Sequence, residues 1–274
     1  MTPSNSQIPA QFSSVFGVGS PKQIFLVKKS SKWGSLIAGV IFAGLAGIGF
    51  IAGAFITYQN INQFGPATTQ QQIQNILFPT VCVTGILFLI GIAGLWSAFN
   101  NWQKAVVTYQ DGLGYSDNKG VRTLRWDQVA GMTSAVTKHY RNGIYTGTTH
   151  LYTLWDRDGK KLVLNDVFPK VEDLANIIRQ GTFPHLYKAA ADNYNAGKTV
   201  QFGPVTIGKM DGITVQKKSY KWEEVEQVSL HQGFLKVAKK GGGWFSGANA
   251  AIAAIPNYEV LISIINQVVG VKAG

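Results

Sequence analysis

The sequence predicts a membrane α-helical hairpin followed by an α+β part, in which an antiparallel sheet or partial barrel closed by a C-terminal helix occurs twice in tandem. Three observations lead to that reading. Residues 33–103, 71 positions, contain no Asp, Glu, Lys, Arg or His. Within them lie two apolar segments of 23 residues, 35–57 and 76–98; at about 1.5 Å rise per residue each makes a helix of roughly 34 Å, enough to cross a hydrocarbon core of about 30 Å. After Lys104 the pattern changes to short β-type runs punctuated by glycine, and one series of blocks appears twice in the same order.

Residues 1–32 are expected to form a flexible basic tail. It is rich in Ser, Gln, Pro and Gly up to Ser20 and carries Lys22, Lys28, Lys29 and Lys32 after it. The net charge of the 274-residue chain is +11, yet all 14 acidic residues lie at Asp111 or later. The basic cluster therefore abuts an apolar span, where lysine meets anionic headgroups, and Lys28, Lys29 and Lys32 are candidate lipid contacts. No Arg-rich helix or paired-aromatic RNA motif accompanies the charge, so nucleic acid is not an expected partner. The first apolar run begins too far into the chain, and is too long, for the h-region of a signal peptide. Cys82 is the only cysteine. An internal disulfide is excluded, and one cysteine with four scattered histidines supplies no zinc site, so no metal or cofactor is expected.

In the hairpin, residues 33–103, small side chains recur at a spacing of four. Gly39, Ala43 and Gly47 form one row and Gly49 and Gly53 a second, while Gly91, Gly94 and Ala98 share a face of the other segment. Such faces let helix backbones approach closely, and packing of the two helices on each other is preferred here to a dimer interface. Trp33, Tyr58, Trp96 and Trp102 sit near the ends, as interfacial aromatics do. The connecting loop 59–75 is uncharged and both outer flanks carry lysine. By the positive-inside rule, an integral cell-membrane protein with both termini in the cytoplasm is expected.

From Lys104 onward, residues 105–109, 113–115, 121–126, 129–140, 148–155 and 161–164 read as strands, and Pro169 as the opening of a helix. Asp111-Gly112-Leu113 returns as Asp211-Gly212-Ile213, Trp126-Asp127-Gln128-Val129 as Trp222-Glu223-Glu224-Val225, and the stretch around Phe168-Pro169 as that around Ile255-Pro256. Each block sets a shape. Asp-Gly permits a tight hairpin, the Trp covers the end of a small sheet, and the proline starts a closing helix whose apolar stripe plugs that sheet. The expected boundaries are 104–182 for the first copy, 183–197 for a linking helix and 198–274 for the second copy.

Tyr109, Asp111-Gly112, Trp126-Asp127, Phe202-Gly203 and Ile255-Pro256-Asn257 together resemble the pattern of bacterial pleckstrin-homology-like (PH-like) domains. More closely, the arrangement resembles an uncharacterised membrane-protein family known only as a domain of unknown function. The resemblance covers roughly residues 104–270. It implies tandem PH-like folds and brings no catalytic residues with it.

Asp156-Arg157-Asp158-Gly159 lacks the register of a calcium loop and reads as a hairpin turn. His139, His150, His185 and His231 have no nucleophile in recognisable context, and no phosphate-cradling motif appears. The remaining candidate is the run Lys239-Lys240-Gly241-Gly242-Gly243-Trp244-Phe245. There Lys239 and Lys240 would meet phosphates while Trp244 and Phe245 enter the bilayer interface. The competing reading, preferred, folds both rings back into the second copy's core. The expected function is a membrane-anchored, non-enzymatic interaction module with a bilayer and a protein as partners. Anionic-lipid sensing through the second copy is the alternative.

Overall fold

The computed structural model describes residues 8–12, 15, 17–65, 69–242 and 246–273. It is α+β, a helical hairpin with several small antiparallel sheets and helices. The chain divides into two compact units, one of residues 26–105 with 116–120, the other of 1–25, 106–115 and 121–274.

The helical unit contains α1 (Lys29–Phe64), the short α2 (Thr69–Gln72), a π-helical turn (Ile73–Leu77) and α3 (Phe78–Trp102). Both long helices are long and apolar enough to cross a membrane. They run well past the expected spans of 35–57 and 76–98, because the uncharged 59–75 segment is largely helical. The glutamines on either side of Gly65-Pro66 extend a helix readily, and Asn60 Nδ2 donates to Gln72 Oε1 at 3.1 Å across the turn.

The first sheet has the order β1 (Pro21–Leu26), β2 (Ala105–Tyr109), β3 (Gly112–Asp117), β4 (Gly120–Arg125). A three-stranded sheet follows, β5 (Val129–Arg141), β6 (Ile144–Asp156), β7 (Lys161–Asn165), and then helix α4 (Val171–Asn195). The series then recurs. The strands β8 (Val200–Phe202), β9 (Val205–Gly208), β10 (Gly212–Val215) and β11 (Lys218–Tyr220) make four in the same neighbour order. Next come β12 (Val225–His231), β13 (Phe234–Lys239) and β14 (Ala248–Ala251), then α5 (Tyr258–Val268). A final strand, β15 (Val271–Ala273), lies parallel to β12.

The N-terminal segment corrects the expectation of a flexible tail. Phe12, Val18, Phe25 and Val27 are buried, and the Thr108 hydroxyl donates to the Gln23 carbonyl at 3.3 Å. The polar composition masked these scattered apolar positions. β1 and β2 are neighbours in one sheet, although residues 27–104 separate them in the chain. In the second half the corresponding link, between β8 and β9, is Gly203-Pro204 alone. The helical hairpin is an insertion into a turn.

The repeated blocks have matching local geometry. Trp126 and Trp222 each open a single 3₁₀ turn. Their indole N–H groups donate to the carbonyls of Gln110 at 3.0 Å and Gly208 at 2.9 Å. Before each Trp, a backbone N–H is closed by the side chain three residues on, Arg125 by Gln128 and Lys221 by Glu224. Asp111-Gly112 and Asp211-Gly212 each start the third strand of their series, but only Gly212 has positive φ, +84°. At Gly112 the constraint is the close approach of the Leu124 carbonyl. Pro169 and Pro256 stand two residues before their helices rather than in the first turn. The intervening Lys170 and Asn257 are both left-handed, at φ 57° and 51°.

The expected break between a closing helix ending at 182 and a linking helix over 183–197 does not occur. Helix α4 runs unbroken across that boundary, through Gly181 and Pro184. Gly181 is there because the Trp126 ring lies against it, so that a Cβ would sit 2.6 Å from the indole. Pro184 removes one backbone donor, while packing on both sides keeps the helix in register. Val171, Leu174, Ala175 and Ile178 are buried on the first half's side. Ala190 and Tyr194 belong to the second half's core, with Phe183 and Leu186 against it.

Gly181→Val should destabilise the protein by about 1–3 kcal/mol through overpacking against Trp126. Denaturant unfolding checks this; an unchanged midpoint would show that the indole can move aside.

Candidate functional site

Among the anticipated lipid contacts, Lys28 and Lys29 stand at the start of α1, and Lys32 lies one turn in. The Lys32 ammonium donates to the Trp102 carbonyl at 2.7 Å and lies 6.0 Å from that ring's centre, while Trp33 packs edge-on to Trp102 at 5.7 Å. Lys104 Nζ donates to Asn101 Oδ1 at 2.9 Å. One end of the hairpin thus gathers cations and indoles, the side chains that bridge apolar and aqueous surroundings.

The small residues do bring the helices together, but along a seam with a different period. Gly39, Ala46 and Gly53 are buried on α1, and Thr84, Gly91 and Ala98 on α3, each set at intervals of seven. A seven-residue repeat is the signature of helices wrapping left-handedly around one another. Gly39 faces Leu95 and Gly91; Gly91 faces Ala43; Gly94 faces Gly39; Gly49 and Gly53 face Thr84 and Thr80. Gly47 is the exception: nothing lies within 4 Å of where its Cβ would be. The four-residue row drifts off the seam, which the seven-residue row follows. The Thr57 and Thr84 hydroxyls donate back to the carbonyls of Gly53 and Thr80, leaving no hydroxyl proton unpaired there.

Trp244 and Phe245 lie outside the described residues. Lys239 and Lys240 do not form a free cationic pair. Lys239 Nζ lies 2.9 Å from Glu224 Oε1, and the Lys240 backbone N–H donates to the Glu224 carbonyl. The hydrogen bond from Lys239, then that from the Lys221 backbone, holds the Glu224 carboxyl below the usual glutamate range. Stability from this contact is therefore present above the unfolded value, about 4.3, and is lost as pH falls through the depressed folded value.

A groove of about 370 Å³ lies where the two halves of the α+β part meet, within the size range of small-molecule and side-chain pockets. Met132, Thr182, Phe183, Leu186 and Val260 form its apolar wall, with Arg179, Gln180, Asn257 and Glu259 among them. Arg179 Nη1 donates to Asn176 and Nη2 to Ser134, both at 2.8 Å. Its guanidinium carbon lies 5.5 Å from the centre of the Tyr152 ring. Its Nε forms a 3.0 Å ion pair with Glu259 that is off the line of a hydrogen bond. The left-handed turn at Asn257 aims the whole residue at β5: its side chain accepts from the Met132 N–H at 2.9 Å and donates to the Ala130 carbonyl at 3.4 Å, and its own N–H donates to the Met132 carbonyl. Burial raises the Tyr152 and Tyr258 phenols above their ordinary value, so both rings stay neutral. Arg179 and Glu259 pair by charge although Arg179 Nε and Glu259 Oε1 make no hydrogen bond, and beside them the groove presents apolar surface to an incoming group.

His150 sits elsewhere. Its Nδ1 lies 2.8 Å from Asp166 Oδ1 and its Nε2 4.0 Å from Glu172, so both ring nitrogens face carboxylates. Among the described residues, no three metal-ligating side chains converge. The Asp156–Lys160 segment is a hairpin turn, with Gly159 at φ +77° and the Lys160 N–H donating to Asp156 Oδ1.

Sequence reading gave Arg179 and Asn257 no part in a site, and it placed the strands 129–140 and 148–155 without the tight turn that joins β5 to β6. Asn257 carried a signal, since Ile-Pro-Asn put an αL-tolerant residue just before a helix. The hairpin carried a stronger one: Asn142-Gly143, both at positive φ (50° and 78°), is the preferred dipeptide of a two-residue turn. Arg179 carried none, because Ser134 and Glu259, which place it in the groove, are 45 and 80 residues away.

A protein-family profile described as "Family of unknown function (DUF6585)" matches residues 10–272, covering the N-terminal segment, the helical hairpin and both halves of the α+β part. No curated protein matches the chain.

Asn257→Gly keeps the left-handed turn and removes both side-chain bonds to β5. It should cost about 1–3 kcal/mol, read as a lower unfolding midpoint. Lys239→Met should flatten the low-pH limb of the stability profile, since Glu224 then titrates nearer its unfolded value; an unaltered limb would dismiss the pairing.

Proposed function

The chain belongs to the DUF6585 family of unknown function, a membership that assigns no activity, and from the geometry we propose a membrane-anchored, non-enzymatic interaction module whose soluble part is a tandem of PH-like domains. The observation that carries the anchor is the outer surface of the hairpin. Ile48, Ile51, Phe55, Phe88 and Leu89 are exposed on helices whose inner seam is Gly, Ala and Thr. An uncovered apolar surface of that extent suits a bilayer and not water. Because β1 and β2 are adjacent in one sheet, the two ends of the hairpin return to the same side of whatever it crosses. Lys28, Lys29, Lys32 and Lys104 mark that side as cytoplasmic by the positive-inside rule.

The PH-like reading rests on four strands, three strands and a C-terminal helix, in one order, twice. A non-enzymatic role is supported by polar groups that are occupied with one another around Arg179 and around His150. The apolar wall of the groove then serves to seat a side chain of a protein partner. The alternative, lipid sensing through Lys239 and Lys240, is weakened by the Lys239–Glu224 pair. Contact with a lipid surface has better support at the β5–β6 hairpin.

Membranes of the native host, washed in alkaline carbonate, should retain the chain. Within them a photo-crosslinking residue at position 180, on the groove, should give an adduct of defined mass with a second protein. Extraction by carbonate would refute the anchor, and the absence of any protein adduct would refute the groove as a docking surface.

A further inference from the structure

One strand pair occurs in both halves at very different lengths. In the second half, β12 and β13 have seven and six residues and are joined through Gln232-Gly233. In the first half, β5 and β6 have 13 residues each and are joined through Asn142-Gly143. Both turns have positive φ at both central residues. Six or seven extra residues per strand, at about 3.3 Å each, add roughly 20 Å of ladder. The second half closes its core without that addition, so the fold does not require it.

The base of the β5–β6 pair is core, with Met132, Tyr152 and Leu154 buried. Its outer part is not. Val136 is 51% exposed, Tyr140 62%, Ile144 71% and Tyr145 55%. Tyr140 pairs with Tyr145 across the ladder, their rings edge-to-face at 5.9 Å, and Arg141 pairs with Ile144 at the turn. Behind the tip come Lys138 opposite Thr148, and His139 Nε2 at 2.7 Å from the Thr149 hydroxyl. From Gln128 to Trp155 there is no Asp or Glu. Large rings and an isoleucine at the end, cations and hydroxyls just behind, and no acid throughout match the order of a bilayer interface read from the inside outward. Aromatic rings sit at headgroup level and Lys and Arg reach phosphates.

We propose that the tip of the β5–β6 hairpin, Tyr140, Ile144 and Tyr145 flanked by Lys138 and Arg141, inserts into the interface of an anionic bilayer. The proposal rests on the membrane-anchored reading, in which such a surface is already at hand. It moves lipid contact from the second half, where Lys239 is held by Glu224, to the first, where the exposed apolar residues and the cations lie together.

The test uses the full chain in lipid nanodiscs. With Cys82→Ser as background, Ile144→Cys and, separately, Ile48→Cys carry an environment-sensitive fluorophore, in discs of phosphatidylcholine alone or with phosphatidylserine. The label at position 144 should shift to the blue only with phosphatidylserine. The shift should be lost on Lys138→Ser with Arg141→Ser and reduced by raising salt to 1 M, where screening acts over about 3 Å. The label at position 48, on the outer face of α1, should be blue-shifted in both discs. A water-like label at 144 beside a blue-shifted one at 48 overturns the tip proposal and leaves the anchor standing. A water-like label at 48 overturns the anchor itself. A shift at 144 seen only when native membrane proteins are added assigns the tip to a protein and overturns the lipid proposal.

Discussion

Helix α4 takes part in two hydrophobic cores, and the α+β part depends on that double use. Its first three turns plug the sheets formed by β1–β7, and its last three are a wall of the core built by β8–β14. A helix used this way cannot move relative to one half without disturbing the other. Gly181 lets Trp126 lie flat against the midpoint of the helix, while Asn257 and the Arg179–Glu259 pair tie the second half back to β5 and α4. Conformational entropy alone would favour two loosely linked modules. Buried apolar surface on one rod, with directional polar contacts beside it, is what opposes that.

The hairpin insertion divides the chemistry of the chain in two. Residues 33–103 hold no Asp, Glu, Lys, Arg or His, so the acidic and basic side chains of the chain all lie outside the long apolar segments. Helix contact there comes from glycine and alanine seams and from threonines bonded to their own backbones. Outside, the charges are spread over both halves; Arg125 pairs with Asp127 and Lys188 with Asp192 close in sequence, and Arg179 with Glu259 between the halves.

Features specified by a few adjacent residues were legible in the sequence. The Trp blocks and the turn at Asp156–Lys160 appear where the sequence puts them, because each is set by sterics within three or four positions, whereas each proline stands just ahead of its helix and not in the first turn. Features set by distant partners were not. The break expected between 182 and 183 is absent because Trp126 packs on Gly181 and the second core holds the far end of the helix. The N-terminal segment looked unstructured because its partner strand lies beyond the hairpin. The seam of the helices follows seven rather than four because two long helices in contact must stay in register over many turns, and that constraint belongs to the pair. Of the candidate lipid contacts, Lys32 packs on Trp102 at one end of the hairpin, whereas Lys239 has an acidic neighbour supplied by the 3₁₀ turn at Trp222–Glu224.

The adjacency of β1 and β2 has a consequence for how the chain is made. β1 leaves the ribosome first, and its partner follows only after residues 27–104 have been synthesised, at about 5–20 residues per second a delay of roughly 4–16 s. During that interval the first strand exists as an unpaired edge, with a lysine at its second position, a residue type that discourages edge-to-edge association. The sheet can close only when the hairpin has folded back and delivered β2 beside it. Pairing of β1 with β2 is thus the one contact of that sheet that waits on the insertion, and helix pairing, by bringing the two flanking strands together, favours it before β3 and β4 are added.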